Sequence, residues 1–221
     1  MFRFLVNNSN DCKVPLKIDL REAALSAKEY DQSDDAVNKH GMEPKGFVFQ
    51  ESRCGSTLVA NSLVAMDPLK NRVYSESPPP IQALKSCGEK NRLCDGKQAV
   101  ELFRDVVYLM GRTDDAREEN LFFKIQSIGS KNIAVAQEAF PNIPWIYVYR
   151  DPVQVMMSHL QGGKKQANCV RQLNRSSELV IDKIHSLGLN IKSLSVEEKC
   201  ALHLVSETQS FYLLILALKN S

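Results

Sequence analysis

The segment from Gly46 to Met66 constrains the fold of this chain more than any other stretch. It begins with a short apolar run, Gly46 to Gln50, which is typical of a buried β-strand. A small polar loop follows, and apolar residues then recur at helical spacing from Leu58 to Met66. A strand that leads into a helix through such a loop directs the backbone N–H groups of the first helical turn toward any ligand beyond the strand.

The loop in this segment has the composition of an anion-binding site. Arg53 supplies a planar cation, Gly55 allows close approach of the backbone, and Ser56 and Thr57 add hydroxyl donors. A nucleoside triphosphatase loop is excluded, because no lysine follows Gly55 and no glycine lies within the eight residues before it. On this segment alone, a polar strand-to-helix turn without a ligand stays an open alternative.

A second strand-to-helix junction follows Pro144 to Tyr149, a run of β-branched and aromatic residues that predicts a strand. The strand ends at Arg150, and the dipeptide Asp151-Pro152 after it is a helix-start signal. Ser158 falls seven residues after the aspartate, close to two helical turns, and therefore on the same side of the helix. Arg150 and Ser158 thus predict a second anion-binding corner.

A third strand lies between these two junctions. The run Leu121 to Gln126 predicts a strand, and a helix with Ser130 as its N-cap follows it before the strand that ends at Arg150. Strand, helix, strand is a βαβ unit, in which the crossover makes the two strands parallel. Ligands of open parallel sheets bind beyond the carboxyl ends of the strands, where Arg53, Lys124 and Arg150 are expected to meet. The sequence therefore predicts a three-layer α/β fold with a central parallel sheet.

In order and in spacing, the two junctions resemble those of sulfotransferases that use 3′-phosphoadenosine-5′-phosphosulfate (PAPS). In that family a strand leads to a loop similar to Arg53-Cys54-Gly55-Ser56-Thr57, which holds the 5′-phosphosulfate. A later strand ends in an Arg-Asp-Pro motif, and a serine eight residues after the arginine helps to hold the 3′-phosphate. Arg150 and Ser158 match that spacing. The resemblance covers residues 44–160, with a weaker echo in the helix from Val196 onward.

The resemblance implies a P-loop NTPase-like fold, PAPS as co-substrate, no metal, and sulfuryl transfer to a hydroxyl or amine. Cytosolic members place a catalytic histidine after a lysine-bearing strand, but here Lys124-Ile125-Gln126-Ser127 contains none. Glu76 resembles the catalytic glutamate of tyrosylprotein-type members, and it precedes Pro78 to Pro80, a stretch that predicts rigid extended chain. Arg53, Glu76 and Lys124 are the catalytic residues implied; a surface glutamate at a turn is the alternative for Glu76.

Two other classes of function stay open. Family members continue past the last long helix into a further strand and a basic loop, whereas this chain stops at Ser221, so we expect a truncated form. A truncated relative that binds the nucleotide without catalysis is therefore one alternative, and a kinase with a divergent loop is another. The acceptor is a small molecule, a carbohydrate or a peptide, and the sequence does not distinguish among these.

Composition fits a single domain of 221 residues, with a polar, partly helical extension over residues 1–45 and the α/β domain over residues 46–221. The net charge of +2 is too small for a typical nucleic-acid-binding protein. The apolar run Phe211 to Leu218 is too short to cross a membrane. Two histidines, His185 and His203, are expected to be structural or exposed.

The six cysteines show no zinc-binding spacing. Cys87 and Cys94 bracket a polar loop and allow a disulfide there, but free thiols are the expectation because no secretory signal is recognised. The same absence favours a cytoplasmic location, and a Golgi lumen location stays open if the N-terminus is incomplete.

Overall fold

The computed structural model describes residues 17–34, 36, 40–86, 96–161, 168–171, 178–186 and 188–219. Six strands lie within these ranges: β1 (His40–Gly41), β2 (Pro44–Gln50), β3 (Asn71–Ser75), β4 (Arg112–Thr113), β5 (Asn120–Lys124) and β6 (Trp145–Val148). Four of them form a sheet in the order β3-β5-β2-β6, and every neighbouring pair in it is parallel. The two short strands β1 and β4 pair antiparallel.

Helices flank this sheet, so the chain is an α/β protein with a parallel sheet, as the sequence predicts. The helices of the described ranges are α1 (Leu20–Asp31), α2 (Ser56–Met66), α3 (Pro78–Leu84), α4 (Gly96–Gly111), α5 (Ile133–Ala139), α6 (Pro152–Leu160), α7 (Asn168–Arg171), α8 (Glu178–Ser186) and α9 (Val196–Lys219). Two 3₁₀ turns cover Ser127–Asn132 and Ile191–Ser193. No helix in the described ranges combines the length and the apolar character needed to cross a membrane.

The main core lies between the sheet and the helices α3, α4 and α5. Strand β2 is hydrogen-bonded on both edges, and its Phe47 and Phe49 are almost fully buried. The ring of Phe47 stacks on that of Phe123, with 5.9 Å between their centroids, and a second contact joins Phe47 to Phe103 of α4 at 5.8 Å. Because aromatic side chains bury the largest apolar areas, this cluster fixes the strands whose ends carry the candidate site.

Helix α1 of the N-terminal segment packs against α4. Lys28 forms an ion pair with Asp105 at 2.9 Å, and Arg112 donates two hydrogen bonds to Asp31 at 2.8 Å. The hydroxyl of Tyr108 donates to the same Asp31 carboxylate. These contacts attach α1 to the part of the chain that forms the parallel sheet and its helices.

Two local predictions were wrong. Ser130 does not cap α5, because residues 127–132 form a 3₁₀ turn and the helix begins at Ile133; the Ser130 hydroxyl instead bonds the backbone of Gln50. The three residues Pro78 to Pro80 are not extended but form the first turn of α3. Proline suits that turn, since its fixed φ is helical and the N–H that it lacks would have no partner inside the helix.

The expectation of free thiols was also wrong for one pair of cysteines. Cys169 of α7 and Cys200 of α9 form a disulfide, with their Cα atoms 4.8 Å apart. Cys54 is a free thiol, whereas Cys87 and Cys94 lie outside the described residues. The residues Phe211 to Leu218 are part of α9, but their side chains also lie outside the described part.

Candidate functional site

A cleft of about 500 Å³ lies at the carboxyl ends of the parallel strands. It contains seven of the residues that the sequence singles out as site residues: Arg53, Gly55, Ser56, Thr57, Glu76, Arg150 and Ser158. Seven further residues complete its lining: Gln50, Ser52, Gln126, Ser127, His159, His203 and Glu207. Parallel strands bring both predicted anion-binding segments to this edge, as expected for an open α/β sheet.

The loop after β2 has two residues with left-handed backbone conformations. Arg53 has φ 63° and Gly55, which immediately precedes α2, has φ 92°. A Cβ atom added at Gly55 would meet no other atom within 4 Å, so the start of the helix is open to its surroundings. Ser56 is buried, and its hydroxyl donates to Gln50 Oε1. Its side chain is therefore committed within the protein, which leaves the Thr57 hydroxyl and the backbone N–H groups of the helix start for a ligand.

The two arginines approach the cleft from different junctions. Arg53 Nε donates to Ser158 Oγ at 3.0 Å, although 105 residues separate them. Arg150 Nε donates to Gln154 Oε1 at 2.8 Å, one turn into its own helix α6. Among the described residues, neither guanidinium forms an ion pair with a carboxylate. Both positive charges are thus available to an anion.

Glu76 lies directly after β3, at the edge of the sheet where the strands end. It follows the strand with φ 57°, and its N–H donates to the Lys124 carbonyl at 2.8 Å. Its Oε1 accepts from Gln50 Nε2 at 2.9 Å and forms an ion pair with Lys124 Nζ. Partial burial acts to raise the pKa of Glu76, but the hydrogen bonds from Lys124 and Gln50 outweigh it and hold the pKa below its usual value. The carboxylate is therefore ionised at neutral pH.

Two of the predicted residues do not reach the cleft. Lys124 is 2% exposed and meets the site only through Glu76, so a direct contact with a ligand is not part of this arrangement. Cys54 is half-buried, with its Sγ 3.9 Å from Gln50 Oε1. Neither residue is among those that line the cleft, and both predicted roles stay predictions.

Sequence reasoning missed a polar cluster at the back of the cleft. Ser52 Oγ lies 2.8 Å from His159 Nε2 and 3.2 Å from Glu207 Oε2, and the Ser52 N–H donates to the same carboxylate oxygen at 3.3 Å. The other oxygen of Glu207 lies 3.3 Å from His203 Nε2. His203 is buried as well as lining the cleft, whereas His185 is exposed.

One signal of this cluster was present in the sequence. His203 and Glu207 are four residues apart in a helical segment, a spacing at which a histidine and a carboxylate meet. Nothing in the sequence indicates that Ser52 and His159 join them, because those contacts span more than 100 residues. No described group of three or more His, Cys, Asp or Glu side chains is arranged to hold a metal ion.

Electrostatics divide the cluster into charged and neutral members. Burial acts to raise the pKa of Glu207, but the hydrogen bond and charge of His203, with hydrogen bonds from Ser127 and Ser52, lower it below its usual value. Burial lowers the pKa of His159, and the neighbouring His203 adds to that effect. Glu207 is therefore ionised and His159 neutral at neutral pH.

No family model, curated protein or solved structure matches this chain. The function of the cleft therefore has to be inferred from its own residues and from the two sequence motifs that meet there.

Proposed function

We propose that this chain is a PAPS-dependent sulfotransferase with a P-loop NTPase-like fold. It would transfer a sulfuryl group to a hydroxyl or amine of a small-molecule, carbohydrate or peptide acceptor. One observation carries this proposal: Arg53 and Arg150, from two separate strand-to-helix junctions, meet at one cleft without carboxylate partners in the described part of the chain. A ligand with negative charge at two places satisfies such a pair.

The donor groups of the cleft fit the two charged ends of PAPS. The loop Arg53 to Thr57 offers a guanidinium, a hydroxyl and a helix N-terminus, which together suit a 5′-phosphosulfate. Arg150 and Ser158 offer a second cation and a second hydroxyl for the 3′-phosphate. The volume of about 500 Å³ lies within the range typical of small-molecule sites. When bound, PAPS would supply the sulfuryl group.

Ser158 can serve both arginine corners. Its Oγ accepts the hydrogen bond from Arg53 Nε, so its own proton is left to donate to a phosphate oxygen. The hydroxyl therefore holds the Arg53 guanidinium in place while contributing to the 3′-phosphate corner. Arg53 is then preorganised to stabilise negative charge on the bridging oxygen as the sulfur–oxygen bond breaks.

Glu76 is suited to take the proton of the acceptor. Its two side-chain hydrogen bonds both go to Oε1, and its side chain is 40% exposed, so Oε2 is the oxygen that an acceptor can reach. Its lowered pKa keeps it ionised, and the Lys124 ammonium compensates its charge without entering the cleft. The carboxylate would accept the proton of the attacking hydroxyl or amine as that group bonds to sulfur.

Transfer of radiolabelled sulfuryl groups from PAPS to a panel of alcohols, sugars, amines and peptides tests the proposal. Labelled product with any acceptor supports the sulfotransferase assignment. Tight binding of 3′-phosphoadenosine-5′-phosphate (PAP) without transfer to any acceptor would replace it with a nucleotide-binding protein that lacks turnover. Binding of ATP at this cleft, together with no binding of PAP, would favour a divergent kinase.

A further inference from the structure

Helix α9 holds the anion-binding loop from a position 155 residues further along the chain. Glu207 of this helix accepts two hydrogen bonds from Ser52, one from its N–H at 3.3 Å and one from its hydroxyl at 3.2 Å. Ser52 immediately precedes Arg53, the arginine of the loop. The carboxylate therefore contacts the loop backbone directly before its main cation.

Glu207 is a buried carboxylate, and its charge has to be compensated by neighbouring groups. Only 2% of the residue is exposed, and burying a carboxylate is unfavourable unless charges or hydrogen bonds compensate it. His203, one turn earlier on α9, lies 3.3 Å from one oxygen, and Ser52 contacts the other. Ser127 also donates to this carboxylate, and the two bonds from Ser52 are the contacts that link it to the anion-binding loop.

The backbone conformation of Arg53 depends on contacts that stabilise the loop. Its φ of 63° is unfavourable for any residue other than glycine, so the loop would relax if its neighbours were not fixed. Three contacts fix them: Glu207 with Ser52, His159 of α6 with the Ser52 hydroxyl, and Ser158 of α6 with the Arg53 side chain. The loop is thus held between α6 and α9.

We propose that Glu207 is a positioning residue, which acts through Ser52 to hold Arg53 in the conformation that binds the anion. The proposal deepens the function given above and rests on it, because it assigns the effect of Glu207 to nucleotide affinity. The proposal also assigns a role to the side of α9 that packs behind the loop. Cys200, His203 and Glu207 lie at spacings of three and four residues on one side of this helix, and the disulfide of Cys200 to Cys169 anchors that side to α7.

A double-mutant cycle between Glu207 and Arg53 separates positioning from general support of the fold. The variants of the full chain are Glu207→Gln, Arg53→Ala and the double variant, and PAP affinity is measured by calorimetry. If Glu207 acts through Arg53, Glu207→Gln weakens PAP binding about tenfold in the Arg53 background and less than about twofold in the Arg53→Ala background. Equal losses in both backgrounds, or no loss in either, overturn the proposal.

A matched control and a milder variant complete the cycle. Glu198→Gln makes the same change of charge at the start of α9, away from the cleft, and should leave PAP affinity unchanged. If Glu207→Gln does not fold, Ser52→Ala replaces it: this variant removes the hydroxyl bond to Glu207 and the contact with His159, and it keeps the backbone bond. It should weaken PAP binding about threefold, the smaller effect expected for one neutral donor. Unchanged affinity for Ser52→Ala would then count against the proposal.

A second readout keeps this proposal separate from the sulfotransferase assignment. If the wild-type chain does not bind PAP, the proposed function fails, and the loop is then examined through Cys54, which directly follows Arg53. Alkylation by iodoacetamide, mapped to Cys54 by mass spectrometry, should be about tenfold faster in Glu207→Gln than in wild type or Glu198→Gln, as expected if the loop opens. An equal rate in all three proteins overturns the positioning role without reference to any nucleotide.

Discussion

The two arginine junctions of the cleft are built in different ways. The loop after β2 holds Arg53 in a left-handed conformation, and its contacts come from Ser158, His159 and Glu207, all more than 100 residues away. The junction after β6 depends mainly on local contacts, although the Glu51 carboxylate also accepts from the Arg150 backbone. Asp151 accepts from the backbone N–H of Gln154, and Arg150 donates to the side chain of that same residue.

This difference indicates which junction depends on the rest of the fold. The β6 junction has the ordinary features of a helix start, namely an aspartate cap followed by proline, and its side-chain hydrogen bonds are made within its own helix. The β2 loop is held by tertiary contacts in a conformation that it would not adopt alone. Glu76 belongs with the β2 loop in this respect, because it also has a positive φ and is held by residues of other strands.

The largest effect is expected at Glu76, the residue whose position depends on β2 and β5. Glu76→Gln should lower sulfuryl turnover by about 10²–10⁴, because an amide cannot accept the acceptor's proton. PAP affinity should stay unchanged, since the residue faces the acceptor. Arg53→Ala should lower turnover by about 10²–10³ and weaken PAP binding as well. Wild-type turnover in Glu76→Gln would show that another group takes the acceptor's proton.

Arg150 should act on nucleotide selection. Arg150→Ala should weaken PAP binding by about 1.5–3 kcal/mol, the range for a hydrogen bond to a charged group, and should barely change the affinity for 5′-AMP. Calorimetry with the two nucleotides measures both effects, and Gln154→Ala serves as a control for the loss of the Arg150 side-chain contact alone. Equal losses for PAP and 5′-AMP would contradict the assignment of Arg150 to the 3′-phosphate.

A pair of glycine substitutions tests the difference in backbone between the junctions. Arg53→Gly should be more stable than Arg53→Ala by about 1–2 kcal/mol, because glycine adopts a positive φ without the penalty of a Cβ atom. At Arg150, which has no positive φ, the order should reverse, and Arg150→Gly should be less stable than Arg150→Ala by about 0.4–1 kcal/mol. Urea unfolding of the four variants gives the comparison. An Arg53→Gly variant no more stable than Arg53→Ala would show that the loop is not held in a left-handed conformation.

The pH dependence of stability should reveal the buried carboxylate behind the β2 loop. Because the folded pKa of Glu207 lies below 4.5, its ionised form stabilises the fold above that pH, and the contribution is lost as the pH falls through the folded pKa. The free energy of unfolding of wild type should therefore fall more steeply below pH 4.5 than that of Glu207→Gln. Parallel curves for the two proteins would mean that Glu207 has the same pKa in the folded and unfolded chain.

Much of the fold followed from local patterns in the sequence. The apolar runs that became β2, β5 and β6 stand between turn signals, and each leads into a polar or helical segment. The cap of α6 by Asp151 and the reciprocal bonds of Ser195 and Glu198 at the start of α9 are also local. Ser130 was misjudged because a 3₁₀ turn moves the N-cap position two residues later, to Asn132, and a sequence pattern does not distinguish the two kinds of helical turn.

Less of the site could be predicted. The residues that carry charge and hydroxyls at the two junctions were recognisable, since motif spacing and parallel strands bring them to one edge. The cluster of Ser52, His159 and Glu207 was not, because no periodicity links residues so far apart in the chain. The pairing of Cys169 with Cys200 was missed for the same reason, as it depends on how α7 packs against α9.

The measurement that tests the central claim most directly is calorimetry of the wild-type chain with PAP, 5′-AMP and ATP. Two guanidinium groups at one cleft, neither with a carboxylate partner in the described part of the chain, predict that PAP binds at least tenfold more tightly than 5′-AMP. This ratio is expected for about 1.4 kcal/mol or more from the 3′-phosphate, and PAP should also bind more tightly than ATP. Equal affinity for PAP and 5′-AMP, tighter binding of ATP, or no binding of any of the three would contradict the account.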